Sequence, residues 1–164
     1  MSRTAASLGS LLFLFVAPGA LAGLIPYWIT GWSRSDAPLA LLAPGAVLVA
    51  GGLLLLLECF SRFALQGRGT PAPIAPPNRL VVTGAYRRVR NPMYVAVVSM
   101  VLGQAALFAD WRLLAYALVL WLGFHLFVLA YEEPTLRQSF PEDYPAFFAG
   151  VPRWIPRLTP WRPG

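Results

Sequence analysis

The sequence predicts an all-α fold: a polytopic membrane helical bundle of about four transmembrane helices with a cytoplasmic C-terminal segment. Three observations lead there. Hydrophobic residues make up 57% of the 164-residue chain and charged residues only 12%, against roughly 25% charged in soluble domains. The apolar residues gather into four long runs. All cationic side chains are arginine, and most of them sit in the links between those runs.

The whole chain, 1–164, reads as one membrane domain. The first run, over 7–32, starts like a signal peptide: Arg3, an apolar stretch over 11–16, and Ala20-Leu-Ala22 as a small-residue cleavage pattern. It continues apolar through Leu24, Ile25, Tyr27, Trp28 and Ile29, roughly a full span. A retained helix is therefore expected, kinked at Pro18 and Pro26. After a polar link at 33–36 comes the second run, 38–60. There Gly51-Gly52 reads as a close-packing position, and Glu58 lies within reach of Arg62. Glycines and prolines over 67–77 exclude regular structure in the long connection, and residues 80–86 read as a short extended piece with a turn at Gly84. The third run, 93–109, is short. Asp110-Trp-Arg112 makes a tight turn into the fourth run, 113–131. Residues 132–164 form a polar tail.

Arginine placement sets the orientation. Arg3, the six arginines of the 61–92 connection and the four of the tail stand on one side, against Arg34 and Arg112 in the other two turns. The positive-inside rule puts both termini and the long connection in the cytoplasm. The net charge of +6 is thus read as a topology signal, with no nucleic-acid partner. One cysteine, Cys59, excludes an internal disulfide. One histidine, His125, excludes bis-histidine haem ligation and a histidine-rich iron site, so no metal is expected.

Two charged stretches therefore meet at one membrane face. In the first, Asn91 and Pro92 stand at N-cap and first-turn positions of the third helix. Its free N–H groups, with Arg90 beside them, suit a carboxylate or phosphate. The plainer alternative is a capped helix with its arginines on lipid phosphates. In the second, Glu132 and Glu133 end the fourth helix. A carboxylate there accepts two hydrogen bonds from a sugar diol, or pairs with Arg87, Arg88 or Arg90. Adjacent helical residues point about 100° apart, so one glutamate faces a pocket while the other faces an arginine. Pro134 restarts the chain. Leu136, Phe140 and Tyr144 then form an apolar stripe, and residues 151–156 read as an extended lid around Trp154. His125, inside the fourth span, is a functional candidate or a hydrogen-bond partner of a neighbouring helix.

The ordered set Gly84-x-Tyr86-x-x-Val89-Arg90-Asn91-Pro92-x-Tyr94, a helical pair, Glu132-Glu133-x-x-Leu136-x-x-x-Phe140-x-x-x-Tyr144 and Val151-Pro152-Arg153 resembles the isoprenylcysteine carboxyl methyltransferase and phospholipid methyltransferase superfamily. Those are integral-membrane enzymes that use S-adenosylmethionine. The resemblance covers 80–156. It departs from the usual pattern at Asn91, where histidine is common outside bacterial members, and at Pro141 and Phe147. It implies methyl transfer to a lipid-embedded or apolar acceptor, of isoprenylcysteine carboxylate or phospholipid amine type, in a bacterial inner (plasma) membrane. The cofactor site it implies comprises Tyr86, Arg90, Asn91, Pro92, Tyr94, Glu132, Glu133, Leu136, Tyr144 and Trp154. Arg90, Glu133 and His125 stand nearest the chemistry, with Glu58 or His125 as base for an amine or thiol acceptor. The acceptor is expected to enter between the second and third helices. A membrane reductase using a nicotinamide cofactor, and a non-enzymatic protein of the same fold, are the competing readings. Neither the acceptor nor the oligomeric state is legible.

Overall fold

The computed structural model describes residues 16–33, 37–62 and 80–162. Expectations for the start of the first run, the Arg34–Asp36 part of the polar link and the glycine- and proline-rich connection lie outside the described residues. Within them every regular element is helical. We number these α1 (Val16–Thr30), α2 (Leu39–Arg62), α3 (Pro92–Phe108), α4 (Trp111–Ser139) and α5 (Tyr144–Gly150). A 3₁₀ turn, Gly84–Arg87, precedes α3.

α2 and α4, at 24 and 29 residues, are long and apolar enough to cross a membrane. In the apolar windows of α2 and α4 only 17% and 22% of the residues are buried. Most of their leucines face outward, as in helices bathed by lipid, while Leu56, Leu113 and Leu120 turn inward. α3 is apolar but only 17 residues long, about 25 Å at 1.5 Å per residue against a hydrocarbon core of about 30 Å. Asp110 caps α4 by accepting a hydrogen bond from the Arg112 N–H, and its side chain also pairs with the Arg112 guanidinium at 2.6 Å.

α1 and α4 each contain a π turn, Ala20–Leu24 and Val128–Glu132. Each ends two residues before a proline, Pro26 and Pro134. Proline lacks an N–H and its ring collides with the carbonyl four residues back, so widening the preceding turn admits it without ending the helix. Backbone groups freed this way need partners where water is absent. In α1 they have them: the Leu21 carbonyl accepts from the Tyr116 hydroxyl at 2.8 Å, and the Ala22 carbonyl from the Gln104 amide at 2.7 Å. In α4 the widened turn corrects the expected end at residue 131. Pro134 does not restart the chain. The helix passes through it to Ser139, so Glu132 and Glu133 sit inside a continuous helix.

α2 and α3 form the most extensive helix pair. A Cβ on Gly52 would stand 2.7 Å from the Ala96 carbonyl oxygen, and one on Gly45 2.9 Å from that of Gly103. Backbone therefore packs on backbone. Gly51 has nothing within 4 Å, so only one of the paired glycines serves the contact. At Gly45 and Gly52 the seam leaves no room between the second and third helices for an acceptor. Leu56, Phe60, Ala96, Val97, Val101, Ala117 and Leu120 build the core between α2, α3 and α4, and Ala22 of α1 closes it. A second cluster, Tyr144, Phe147 and Val151 with Leu80, Val82, Leu136 and Phe140, docks the tail beneath the arginine stretch.

Candidate functional site

Gly84 opens the arginine stretch with φ +55°, the left-handed region that side chains with a Cβ disfavour. A Cβ there would also overlap the Glu58 Oε1, which is held by Arg62 Nε at 2.8 Å. The tight turn buries Tyr86 against Cys59 and Val81. Burial holds the Tyr86 hydroxyl well above its ordinary range, so it is a neutral group at the site.

Arg90 follows. Its backbone N–H donates to the Pro152 carbonyl at 2.9 Å, and its guanidinium lies over the Phe148 ring, 4.0 Å from the centroid. The side chain is only 9% exposed. Nη1 stands 3.2 Å from Glu133 Oε1 but out of line, and neither Nε nor Nη1 makes a hydrogen bond among the described residues. Orphaned donors on a buried cation are costly unless a further acceptor completes them. Asn91 occupies the N-cap position of α3, but its side chain does not cap the helix; its amide donates to the Arg153 carbonyl at 3.2 Å instead.

The two glutamates take different partners. Glu132 receives the Tyr94 hydroxyl at 2.7 Å. Glu133 is gripped by Arg153 in a two-pronged contact, Nε to Oε1 at 2.7 Å and Nη2 to Oε2 at 3.0 Å. That hydrogen bond raises the affinity of Arg153 for its proton. Arg87 and Arg88 turn away from both glutamates and donate to carbonyls of the tail, those of Trp161 and of Arg157 and Leu158.

A cavity of about 310 Å³ lies where these groups converge. Tyr86, Arg90, Asn91 and Glu132 form its polar end. Pro92, Met93, Tyr94 and Val97 of α3, Phe124 and Phe127 of α4, Leu56 of α2, and Ala17, Pro18 and Leu21 of α1 form the rest. The Tyr94 ring stacks on Phe124 at 4.5 Å. The structure thus gathers six of the sequence-selected residues on one cavity: Tyr86, Arg90, Asn91, Pro92, Tyr94 and Glu132. Glu133 stands behind, holding Arg90 and Arg153.

Other candidates lie off the cavity wall. Tyr144 is 1% exposed in the tail cluster with Leu136 beside it, and its hydroxyl meets the Arg90 guanidinium; burial raises that hydroxyl, the Glu133 carboxylate adds to the effect and Arg90 opposes it. His125 accepts at Nδ1 from the Trp154 indole at 3.0 Å and stacks on Trp121. Trp154 borders a smaller cavity of about 160 Å³, with Tyr94 as the wall shared with the larger one. Glu58 is paired with Arg62 and does not line either cavity. Sequence reasoning missed the walls from α1 and α4 and the Arg153 grip. The Phe124 and Phe127 spacing of three did signal one helical face, but an apolar run offers no polar side to fix which face turns inward.

The family model described as phospholipid methyltransferase matches residues 40–143, more than half of the chain, including the arginine stretch and both glutamates. No curated protein and no solved structure matches the chain.

Proposed function

The chain belongs to the phospholipid methyltransferase family, and from that premise we propose that it is a membrane enzyme transferring the methyl group of S-adenosylmethionine to a lipid-embedded or apolar acceptor, of phospholipid amine or isoprenylcysteine carboxylate type. The carrying observation is Arg90: a buried guanidinium at the polar end of a cavity, with Nε and Nη1 unbonded. Such a group asks for a carboxylate.

The residues fit the cofactor. A volume of about 310 Å³ stands at the small end of the ~300–1,000 Å³ of ligand sites. Arg90 would hold the amino-acid carboxylate, and Glu132 would accept the ribose hydroxyls. The stacked Tyr94–Phe124 pair would give the adenine one aromatic wall. When bound, the cofactor supplies a methyl carbon already activated by a sulfonium leaving group. The chain's own work is then alignment and exclusion of water. Tyr94 fixes Glu132, Glu133 fixes Arg90, and the apolar walls keep the cavity dry. Because the α2–α3 seam leaves no room at Gly45 and Gly52, the acceptor is assigned to the α1 and α4 side, where Ala17, Pro18, Leu21 and Phe127 line the cavity. The proposal includes four spans with both termini cytoplasmic, in a bacterial plasma membrane.

The test is titration of S-adenosylmethionine into the protein in lipid nanodiscs, with NADPH as the comparison. Heat of binding is expected for the first, weakened at least tenfold by Arg90→Ala, and wild-type protein that binds no S-adenosylmethionine would sink the reading. Incubation with methyl-labelled cofactor and extraction of the labelled lipid then identifies the acceptor.

A further inference from the structure

Beyond α5, residues 151–161 form no regular structure and cross back over the arginine stretch as a strap. Three properties of this strap do not fit a loop in water. The first is depth. Trp154 contacts Tyr94 at the start of α3 and, in α4, both Trp121 and His125. Those two lie eleven and seven residues before Glu132, about 16 and 10 Å along the helix. The strap therefore hooks over the end of the bundle and reaches down beside a helix that crosses the membrane.

The second is the treatment of its backbone. Irregular chain at membrane depth survives only where its polar groups are satisfied by protein. Pro152, Pro156 and Pro160 have no N–H to satisfy. The N–H groups of Arg157 and Trp161 donate to the Arg88 and Arg87 carbonyls at 2.9 and 2.7 Å. The carbonyls of Pro152, Arg153, Arg157, Leu158 and Trp161 accept from the Arg90 N–H and from the Asn91, Arg88 and Arg87 side chains.

The third is exposure. From this pinned backbone Ile155 projects 79% exposed and Leu158 94% exposed. Large aliphatic side chains held outward by a braced chain, next to a membrane helix whose own Leu126 and Tyr131 face outward, continue a lipid-facing surface.

We propose that the strap lies in the bilayer, with Ile155 and Leu158 among the acyl chains below the headgroups, and with Arg87, Arg88 and Asn91 hydrogen-bonding its carbonyls in place of water. The partner is the acyl-chain boundary of the leaflet. The tail is then a membrane-seated closure of the site and not a cytoplasmic lid. This stands independently of the reaction assigned above.

Spin labels test it in the full chain. Cys59 is 0% exposed, so labelling reports introduced cysteines once the parent is shown to take up none. Ile155→Cys, Leu158→Cys and a reference at the exposed turn, Glu142→Cys, are labelled in phosphatidylcholine–phosphatidylglycerol nanodiscs. Each must keep the parent's melting temperature. Collisions with oxygen and with a water-soluble nickel chelate are then compared. The expected result is a preference for oxygen at 155 and 158 and for nickel at 142. Nickel preference at all three overturns the proposal in favour of an aqueous loop. Dipolar broadening at 155 or 158 overturns it in favour of a second copy of the chain. Adding Arg88→Ala to Leu158→Cys is expected to shift the label toward nickel; an unchanged label overturns the role given to that arginine.

Discussion

The hydroxyl of Tyr94 and the carboxylate of Glu132, 38 residues apart in sequence, meet at 2.7 Å and so tie the first turn of α3 to the widened turn of α4. The contact fixes the carboxylate that faces the cavity. Tyr94→Phe keeps the ring that stacks on Phe124 and removes only the donor. A hydrogen bond to a charged group contributes about 1.5–3 kcal/mol. Tyr94→Phe is therefore expected to lower the melting temperature by several degrees and, because Glu132 loses the group that orients it, to weaken S-adenosylmethionine binding roughly tenfold. Calorimetry and thermal unfolding in parallel separate the two effects.

We expect Arg90 to bind through planar geometry as well as charge. Its guanidinium lies over the Phe148 ring, and its Nε and Nη1 make no hydrogen bond among the described residues. A lysine keeps the charge but neither stacks nor forks. Arg90→Lys should thus bind the cofactor nearly as poorly as Arg90→Ala. Recovery of wild-type affinity by the lysine variant would mean that charge alone suffices.

Glu133 holds two arginines, and removing it leaves both without their anion. Breaking a buried pair from one side costs about 3–5 kcal/mol. Glu133→Gln is expected to destabilise the protein by about 3 kcal/mol in detergent-titrated unfolding, with Arg153→Ala adding little on top. Full additivity in that double-mutant cycle would show that the two side chains act separately.

Gly84→Ala meets two obstacles, the left-handed backbone, about 1–2 kcal/mol, and the Glu58 carboxylate. Glu58→Ala removes only the second. The double variant Gly84→Ala/Glu58→Ala is expected to recover part of the lost stability, never all of it; complete recovery would leave the backbone conformation without a cost.

The helices were legible because each apolar run is longer than any loop tolerates, and arginine bias placed the two charged stretches at one face before any contact was known. Pro92 at the first turn of α3, the Gly84 turn and the Glu58–Arg62 pair were likewise local. The rest depends on helix phase. An all-apolar run such as 113–131 has no polar side to orient it, so the inward turn of Phe124 and Phe127 could not be read. The division of labour between Glu132 and Glu133 was posed by their 100° separation but not resolved. Arg153 is twenty residues from Glu133 across a proline-rich segment, where no periodicity carries information. The end of α4 was misplaced because Pro134 reads as a breaker unless the turn before it is known to widen.

That wide turn has one more consequence. In an ordinary α-helix the residue below Phe127 is the fourth one on, Tyr131. In α4 Tyr131 is instead 46% exposed, and Glu132, the fifth, joins Phe127 on the cavity wall. The five-residue loop of backbone acts as a spacer that advances the reading frame of the helix by one. Which side chain reaches the wall is thus set by counting, not by chemistry. Deleting Ala130 should return an unwidened helix in which Glu132 falls below Phe127 as its plain fourth neighbour. Inserting one further alanine should turn both glutamates past the wall. Cofactor titration of the two length variants distinguishes a site written in residue identity from one written in residue number.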